Sequence, residues 1–172
     1  MTPATGRAPT RPETAPAPLP ARTGPPTRQA TLTLGPLPTA PATARGVLTT
    51  ALTLWELPHL KDTAELITSE LVTNAITAST ATAPPGREPL PVTLWIAARD
   101  HELIIRVWDP DPTPPPRDQP LPGPLTENGR GLIIVSSLSQ QWGTHPAPGG
   151  GKYVWSTLPL RTQPGDRPPT WA

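Results

Sequence analysis

Residues 62–79 read D-T-A-E-L-I-T-S-E-L-V-T-N-A-I-T-A-S. Leu66, Ile67, Leu71, Ala75 and Ala78 recur at helical spacing, which predicts one amphipathic helix. Asp62 stands where a cap belongs, and Glu65 three residues on completes a capping-box pattern. Glu70 and Asn74 lie four residues apart, so both project from one face, beside the apolar stripe. A carboxylate and a carboxamide bordering a buried face need polar partners, because burying either one bare costs about 1–3 kcal/mol. A metal ion carrying a phosphate ligand would satisfy both. An exposed helix edge would explain them as well, so the choice rests on the rest of the chain.

Composition bounds that choice. The chain has 172 residues, enough for one domain with a real core. It carries 30 prolines, concentrated in the first 41 residues and in the run 110–124. Residues 1–29 are rich in Pro, Thr, Ala and Arg and have almost no large apolar side chain, so they are expected to be disordered. Residues 162–172 are similar and are expected to form a flexible tail, leaving 30–161 as the folded body. The net charge of +1 argues neither for nor against a nucleic-acid partner, and no direct one is expected. The absence of cysteine excludes disulfides, thiolate metal sites and a cysteine nucleophile. No apolar run approaches the roughly 18 residues of a membrane span, and the N-terminus lacks the apolar centre of a signal peptide. A cytoplasmic protein with no membrane partner is the expectation.

Outward from the central helix, the order of elements is legible. Residues 31–34 alternate and predict a short strand. Thr39 and Pro41 mark a helix start, and Ala44, Val47, Leu48, Ala51, Leu52 and Trp55 follow helical spacing. After a Pro- and Gly-containing loop, Val92, Leu94 and Ile96 share one face of a strand, and Leu103, Ile105 and Val107 share one face of the next. The short polar link between them predicts a β-hairpin. Parity puts Asp109 on that same inward row, at the mouth of the core, as a turn cap or a ligand-binding group. The proline run 110–124 is too long for an ordinary connection and reads as a lid or binding loop. Gly129-Arg130-Gly131 then opens a short helix over 132–138, either as a phosphate cradle or as an ordinary glycine turn. Two strands, 142–145 and 152–158, flank a turn with three consecutive glycines, Gly149 to Gly151. This order predicts an α/β two-layer sandwich: a mixed, mostly antiparallel sheet with helices on one face.

Several motifs fail. Gly151-Lys152 is no P-loop, because Pro146 and Tyr153 stand where glycine and Ser or Thr are required. Gly129-Arg130-Gly131 lacks the third glycine of a dinucleotide fingerprint. The three histidines have no zinc-ligand spacing, and no nucleophile elbow is present.

Four features remain, in order: Glu70 with Asn74, Asp109, Gly129-x-Gly131, and Gly149-Gly150-Gly151-Lys152. Together they resemble the GHKL, or Bergerat, ATP-binding fold shared by histidine kinases, gyrase and the Hsp90 chaperones. The set is most similar to the actinobacterial anti-sigma-factor serine kinase-like ATPase domains, over about residues 30–160. The resemblance implies ATP and Mg²⁺ as ligands. It implies that Asn74 holds Mg²⁺ between the phosphates and that Glu70 acts as general base or orients the attacking group. It implies that Asp109 accepts the adenine amino proton, that Gly129 and Gly131 give the phosphates close backbone access, with Arg130 beside them, and that Gly151 lets the last hairpin approach the adenine. The implied activity is phosphorylation of a serine or threonine on an anti-anti-sigma type partner, with a sigma factor or other transcriptional regulator also held. A homodimer is compatible with it. The alternative is a non-catalytic, nucleotide-responsive module that sequesters a regulator. One departure favours the alternative: Asp109-Pro110-Asp111-Pro112 replaces the family's glycines, and proline fixes φ and removes an N–H. That run predicts low nucleotide affinity.

Overall fold

The computed structural model describes residues 28–99, 101–115 and 130–161, with the side chain of Arg130 excepted. The expected N-terminal segment up to residue 27, the tail 162–172, most of the proline run and Gly129 lie outside the described residues. In chain order the elements are β1 (Arg28–Leu34), α1 (Ala40–Leu54), α2 (Lys61–Thr82), β2 (Val92–Arg99), β3 (Glu102–Asp109), α3 (Arg130–Leu138), β4 (Gln141–Pro146) and β5 (Lys152–Pro159). β1 thus starts at Arg28, two residues ahead of the expected edge of the folded body.

The five strands form one sheet in the order β1-β2-β3-β5-β4. Every neighbouring pair is antiparallel. The two-layer α/β sandwich is as expected, and the parallel pair that a mixed sheet would contain is not formed among the described strands. The order follows from the connections. β2 and β3 are joined by a two-residue link and must lie side by side, whereas α3 separates β3 from β4 and lets β5 insert between them.

One sheet face is apolar and carries the helices. Val92, Leu94 and Ile96 of β2, Leu103, Ile105 and Val107 of β3, and Val154 and Leu158 of β5 are buried in one cluster. From above, Ala44, Leu48 and Leu52 of α1, Ile67, Leu71, Val72 and Ala75 of α2, and Val135 of α3 complete it. Burying a Leu or Ile side chain contributes about 1.5–3 kcal/mol, so this layer supplies most of the fold's driving force.

α1 ends in a Schellman arrangement. Glu56 takes a left-handed φ of 61°, the Leu57 N–H bonds the Leu52 carbonyl at 2.9 Å, and the Glu56 N–H bonds that of Thr53 at 3.2 Å.

Two readings of α2 need correction. Asp62 does not cap it: the cap position is Leu60, reached through a 3-10 turn at Pro58–Leu60, and no side-chain cap bond is made. Asp62 lies inside the first turn, where its charge favours the helix dipole. Glu65 turns instead to α1, accepting a hydrogen bond from the Thr49 hydroxyl at 2.5 Å. Leu66 is 52 % exposed and leaves the stripe. Ala64, Thr68 and Val72 take its place, because the buried arc is centred one position round from the expected one.

The opposite sheet face is of a different character. Cross-strand register places Trp95, Arg106 and Trp155 in one row, and Thr93, Trp108, Tyr153 and His145 in the next. Trp155 is buried there, outside the helix-side cluster.

Candidate functional site

The middle of α2 and the start of α3 build one end of the site. Glu70 and Asn74 share a face of α2, as their spacing requires; Glu70 is half-buried and Asn74 exposed. Neither is hydrogen bonded among the described residues, so both polar ends remain open to a ligand. Gly131 faces them directly. A Cβ built on Gly131 would stand 2.3 Å from Glu70 Oε2 and 3.6 Å from Asn74 Nδ2. Any other residue there would displace the Glu70 carboxylate. The pattern Glu70-x-x-x-Asn74 and the second glycine of Gly129-x-Gly131, which lie far apart in the chain, therefore meet at one point. Arg130 is the first residue of α3, and Gly129 lies outside the described residues.

β3 and β5 build the other end. Asp109 is the last residue of β3 and stands on the helix-side face, as parity predicted, but it is only 1 % exposed. Register pairs it with Lys152, the first residue of β5, which is 5 % exposed. The Lys152 ammonium donates to Asp109 Oδ1 at 2.8 Å and to the Asp111 carbonyl at 2.9 Å. It also lies 3.4 Å from Asp111 Oδ2. The Asp111 N–H donates to the same Asp109 Oδ1 at 3.0 Å. Burial pushes the Asp109 carboxyl above its ordinary value, and the Lys152 ammonium opposes that push. At Asp111 burial also pulls upward, but the bonds from Thr113 and the charge of Lys152 outweigh it, and the net shift is down.

Gly151 closes this end. Its φ is 75°, and a Cβ on it would lie 2.2 Å from the Asp109 carbonyl oxygen and 2.9 Å from Pro110 Cα. Only glycine allows the β4–β5 turn to sit against the end of β3 this closely. The C-terminus of α2 and the end of β3 meet at the same edge of the sandwich. Ser79 near the end of α2 bonds the Leu90 carbonyl at 2.6 Å, just before β2, and Asp109 at the end of β3 is opposite the start of β2.

Lys152 is the residue of the candidate site whose pairing the sequence reading does not single out. Its signal was available. The alternation of Lys152, Val154, Ser156 and Leu158 puts the lysine on the inward row, and an inward lysine needs a carboxylate. What it could not supply was the strand order that makes that carboxylate Asp109.

No group of three or more His, Cys, Asp or Glu able to hold a metal is found among the described residues. A divalent ion here would therefore take Asn74 with Glu70 near it and fill its remaining positions with phosphate and water, the usual habit of Mg²⁺. The residues fit a nucleotide with its metal. Glycine at 131 lets the backbone at the start of α3 come up against the Glu70 carboxylate and the Asn74 carboxamide, and Asp109 Oδ2 accepts no hydrogen bond within the described protein. The geometry can bind a phosphate chain at one end, accept a hydrogen bond from a base at the other, and take up a proton at Glu70. No helix among the described residues is long and apolar enough to cross a membrane.

A family model, the histidine kinase-like ATPase domain, matches residues 35–155. That span runs from the end of β1 into β5 and contains every residue of both ends of the site. No curated protein matches the chain.

Proposed function

From the premise that the chain belongs to the histidine kinase-like ATPase family, a family of ATP-binding regulatory domains, we propose that it is a serine/threonine kinase of the anti-sigma type. In this reading it transfers the γ-phosphoryl of ATP to a hydroxyl on an anti-anti-sigma type partner and so controls a transcriptional regulator. The observation that supports it best is the convergence of Glu70, Asn74 and Gly131.

Each residue has a task in that reaction. Asn74 presents its carboxamide oxygen to Mg²⁺. When bound, Mg²⁺ neutralises charge that builds up on the phosphate oxygens. Gly131 lets the backbone at the start of α3 approach the phosphates, where the N–H groups and the helix dipole favour negative charge. Glu70 accepts the proton of the attacking hydroxyl as the new O–P bond forms and the bond to the β-phosphate breaks, with ADP leaving. Asp109 accepts the exocyclic amino proton of adenine through Oδ2, while Lys152 and the Asp111 N–H fix its other oxygen. Phosphoryl transfer depends mostly on positioning and charge stabilisation, and these residues are the minimum set for it.

A second reading has its own supporting observation. Asp109 is nearly inaccessible and already ion-paired, and Pro110 and Pro112 remove backbone donors beside it. These features favour a nucleotide-responsive module that sequesters a regulator without phosphorylating it. Incubation of the protein with γ-labelled Mg·ATP and candidate anti-anti-sigma proteins separates the two. The kinase reading expects label on a partner serine or threonine. Tight binding of both Mg·ATP and partner without label would establish the module.

A further inference from the structure

The ammonium of Lys152 has no donor left for a ligand. It carries three N–H groups, and three acceptors surround it: Asp109 Oδ1 at 2.8 Å, the Asp111 carbonyl at 2.9 Å and Asp111 Oδ2 at 3.4 Å. A buried lysine needs such partners. Lys152 therefore reaches a bound base only through Asp109.

Asp109 is bonded on one side only. Its Oδ1 accepts from Lys152 and from the Asp111 N–H at 3.0 Å. Its Oδ2 accepts from no described residue, yet it is not one of the fully buried polar atoms left without a partner. The small part of Asp109 that meets solvent therefore includes Oδ2. Backbone geometry sets this division. Register pairs Lys152 with Asp109 across β3 and β5, and Gly151 lets the two strand ends close up. Asp111 follows Asp109 by two residues, the spacing of an Asx turn.

The division has a chemical consequence. An ionised carboxylate only accepts hydrogen bonds, whereas a protonated one also donates. Burial pushes the Asp109 carboxyl towards the protonated form, and the hydrogen bond and charge of Lys152 oppose it. With Oδ1 occupied, a base meets one acceptor. A purine with an amino group at ring position 6 offers it an N–H. A purine with a carbonyl there offers a second acceptor, and two facing acceptors both stay unpaired. Sites built around one specific hydrogen bond discriminate strongly on this ground.

We propose that Lys152 is a positioning residue that sets the base selectivity of the site. Together with the Asp111 N–H it claims Asp109 Oδ1, presents Oδ2 to the ligand as an acceptor, and so selects a 6-amino purine over a 6-oxo purine. The selectivity presupposes the nucleotide reading of the site.

The same two donors dictate what an amide at position 109 does. In Asp109→Asn the side-chain oxygen has to stay at the Oδ1 place, because Lys152 and the Asp111 N–H both point there. The NH₂ group then takes the Oδ2 place and donates to the ligand. A 6-oxo purine becomes the matching partner, and the selectivity inverts. Without Lys152 the amide is held by one donor instead of two and can turn over.

The test titrates the full chain with Mg·ATP and with the magnesium complex of inosine triphosphate, which keeps the sugar and phosphates and carries a carbonyl at position 6. Three proteins are compared: wild type, Asp109→Asn, and Asp109→Asn with Lys152→Met. The ratio of the two affinities on one protein cancels any change in the folded fraction, so a merely structural role of Lys152 does not move it. The double variant removes both charges of the pair and leaves no bare carboxylate at 109. Should it fail to fold, Lys152→Gln takes the place of Lys152→Met, with a neutral tip that has no fixed donor direction. The expected result is a preference of about tenfold or more for ATP in the wild type, a preference for inosine triphosphate in Asp109→Asn, and loss of that inversion in the double variant. Equal affinities in the wild type, or a preference for ATP that survives in Asp109→Asn, would overturn the proposal. An inversion that persists undiminished without Lys152 would overturn it too, by giving the orientation to the Asp111 N–H alone. In all these cases the wild type still binds nucleotide. A wild type that binds neither nucleotide is a different failure, which takes the nucleotide reading down together with the selectivity.

Discussion

The two ends of the candidate site solve opposite problems. At the α2–α3 end, Glu70 and Asn74 have no hydrogen-bond partner among the described residues, and the backbone at Gly131 comes close against them. At the β3–β5 end, Asp109 is sealed from water, locked to Lys152 at 2.8 Å and covered by Gly151. The first end contributes little to the fold and is free to act on a ligand. The second is part of the fold before any ligand arrives. Substitutions at the first end should therefore change function without changing stability, and substitutions at the second should change both.

The sharpest way to break this contrast is Lys152→Met. Removing one partner of a buried ion pair leaves a bare charge and typically costs about 3–5 kcal/mol, which denaturant unfolding measures. The pH dependence has a definite sign. The Asp109 carboxyl already titrates above its ordinary 3.8, and without the lysine it rises further. A raised carboxyl value means stability is lost as pH rises through it. The deficit of Lys152→Met should therefore grow as pH rises above the ordinary carboxyl value of 3.8 and shrink on acidification. Adding Asp109→Asn to Lys152→Met should recover part of the loss, since the amide carries no charge.

At the other end, Glu70→Gln should leave the unfolding midpoint and Mg·ATP affinity near wild type. In the kinase reading it should lower phosphoryl transfer by about 10²–10⁴-fold, because the amide cannot accept the proton. A melting temperature that falls with the transfer rate would show that Glu70 is structural and would erase the contrast.

Gly131→Ala sharpens the comparison with a smaller effect. The added methyl meets only the tip of a flexible glutamate, and alanine favours a helix by about 1 kcal/mol over glycine. Stability should hold or rise while Mg·ATP affinity drops, a split that paired unfolding and binding measurements can read. Gly151→Ala meets backbone instead and adopts a φ of 75°, so it belongs with the stability-sensitive end.

The smallest effect lies off the site. His145 titrates below its ordinary 6.5, through burial first and the nearby Arg106 charge second. A depressed histidine stabilises the fold above pH 6.5, and that contribution is lost as pH falls through the folded-state value. His145→Gln should flatten the stability profile on the acid side of neutrality.

Much of this arrangement was legible in the sequence, and the parts that were not have physical reasons. Period-2 alternation placed Leu103, Ile105, Val107 and Asp109 on one inward row, and the four-residue spacing of Glu70 and Asn74 fixed their common face. Those are local consequences of backbone geometry. The insertion of β5 between β3 and β4 is not local, so the Asp109–Lys152 lock stayed hidden although both residues were in view. The start of α2 was misread because a 3-10 turn through Pro58–Leu60 delivers the chain into the helix without a side-chain cap. The aromatic block on the open face escaped notice for a related reason. Trp95, Arg106 and Tyr153 occupy the positions that alternation marks as outward, where polar residues are the norm, and only cross-strand register makes them neighbours.

Titration of the wild-type chain and of Asn74→Ala with Mg·ATP by calorimetry tests the central claim most directly. The account predicts saturable, magnesium-dependent binding to the wild type and at least about a tenfold loss, 1.4 kcal/mol or more, in the variant, with both proteins equally stable to denaturant. Absence of binding to the wild type at millimolar Mg·ATP, or equal binding to both proteins, would contradict it.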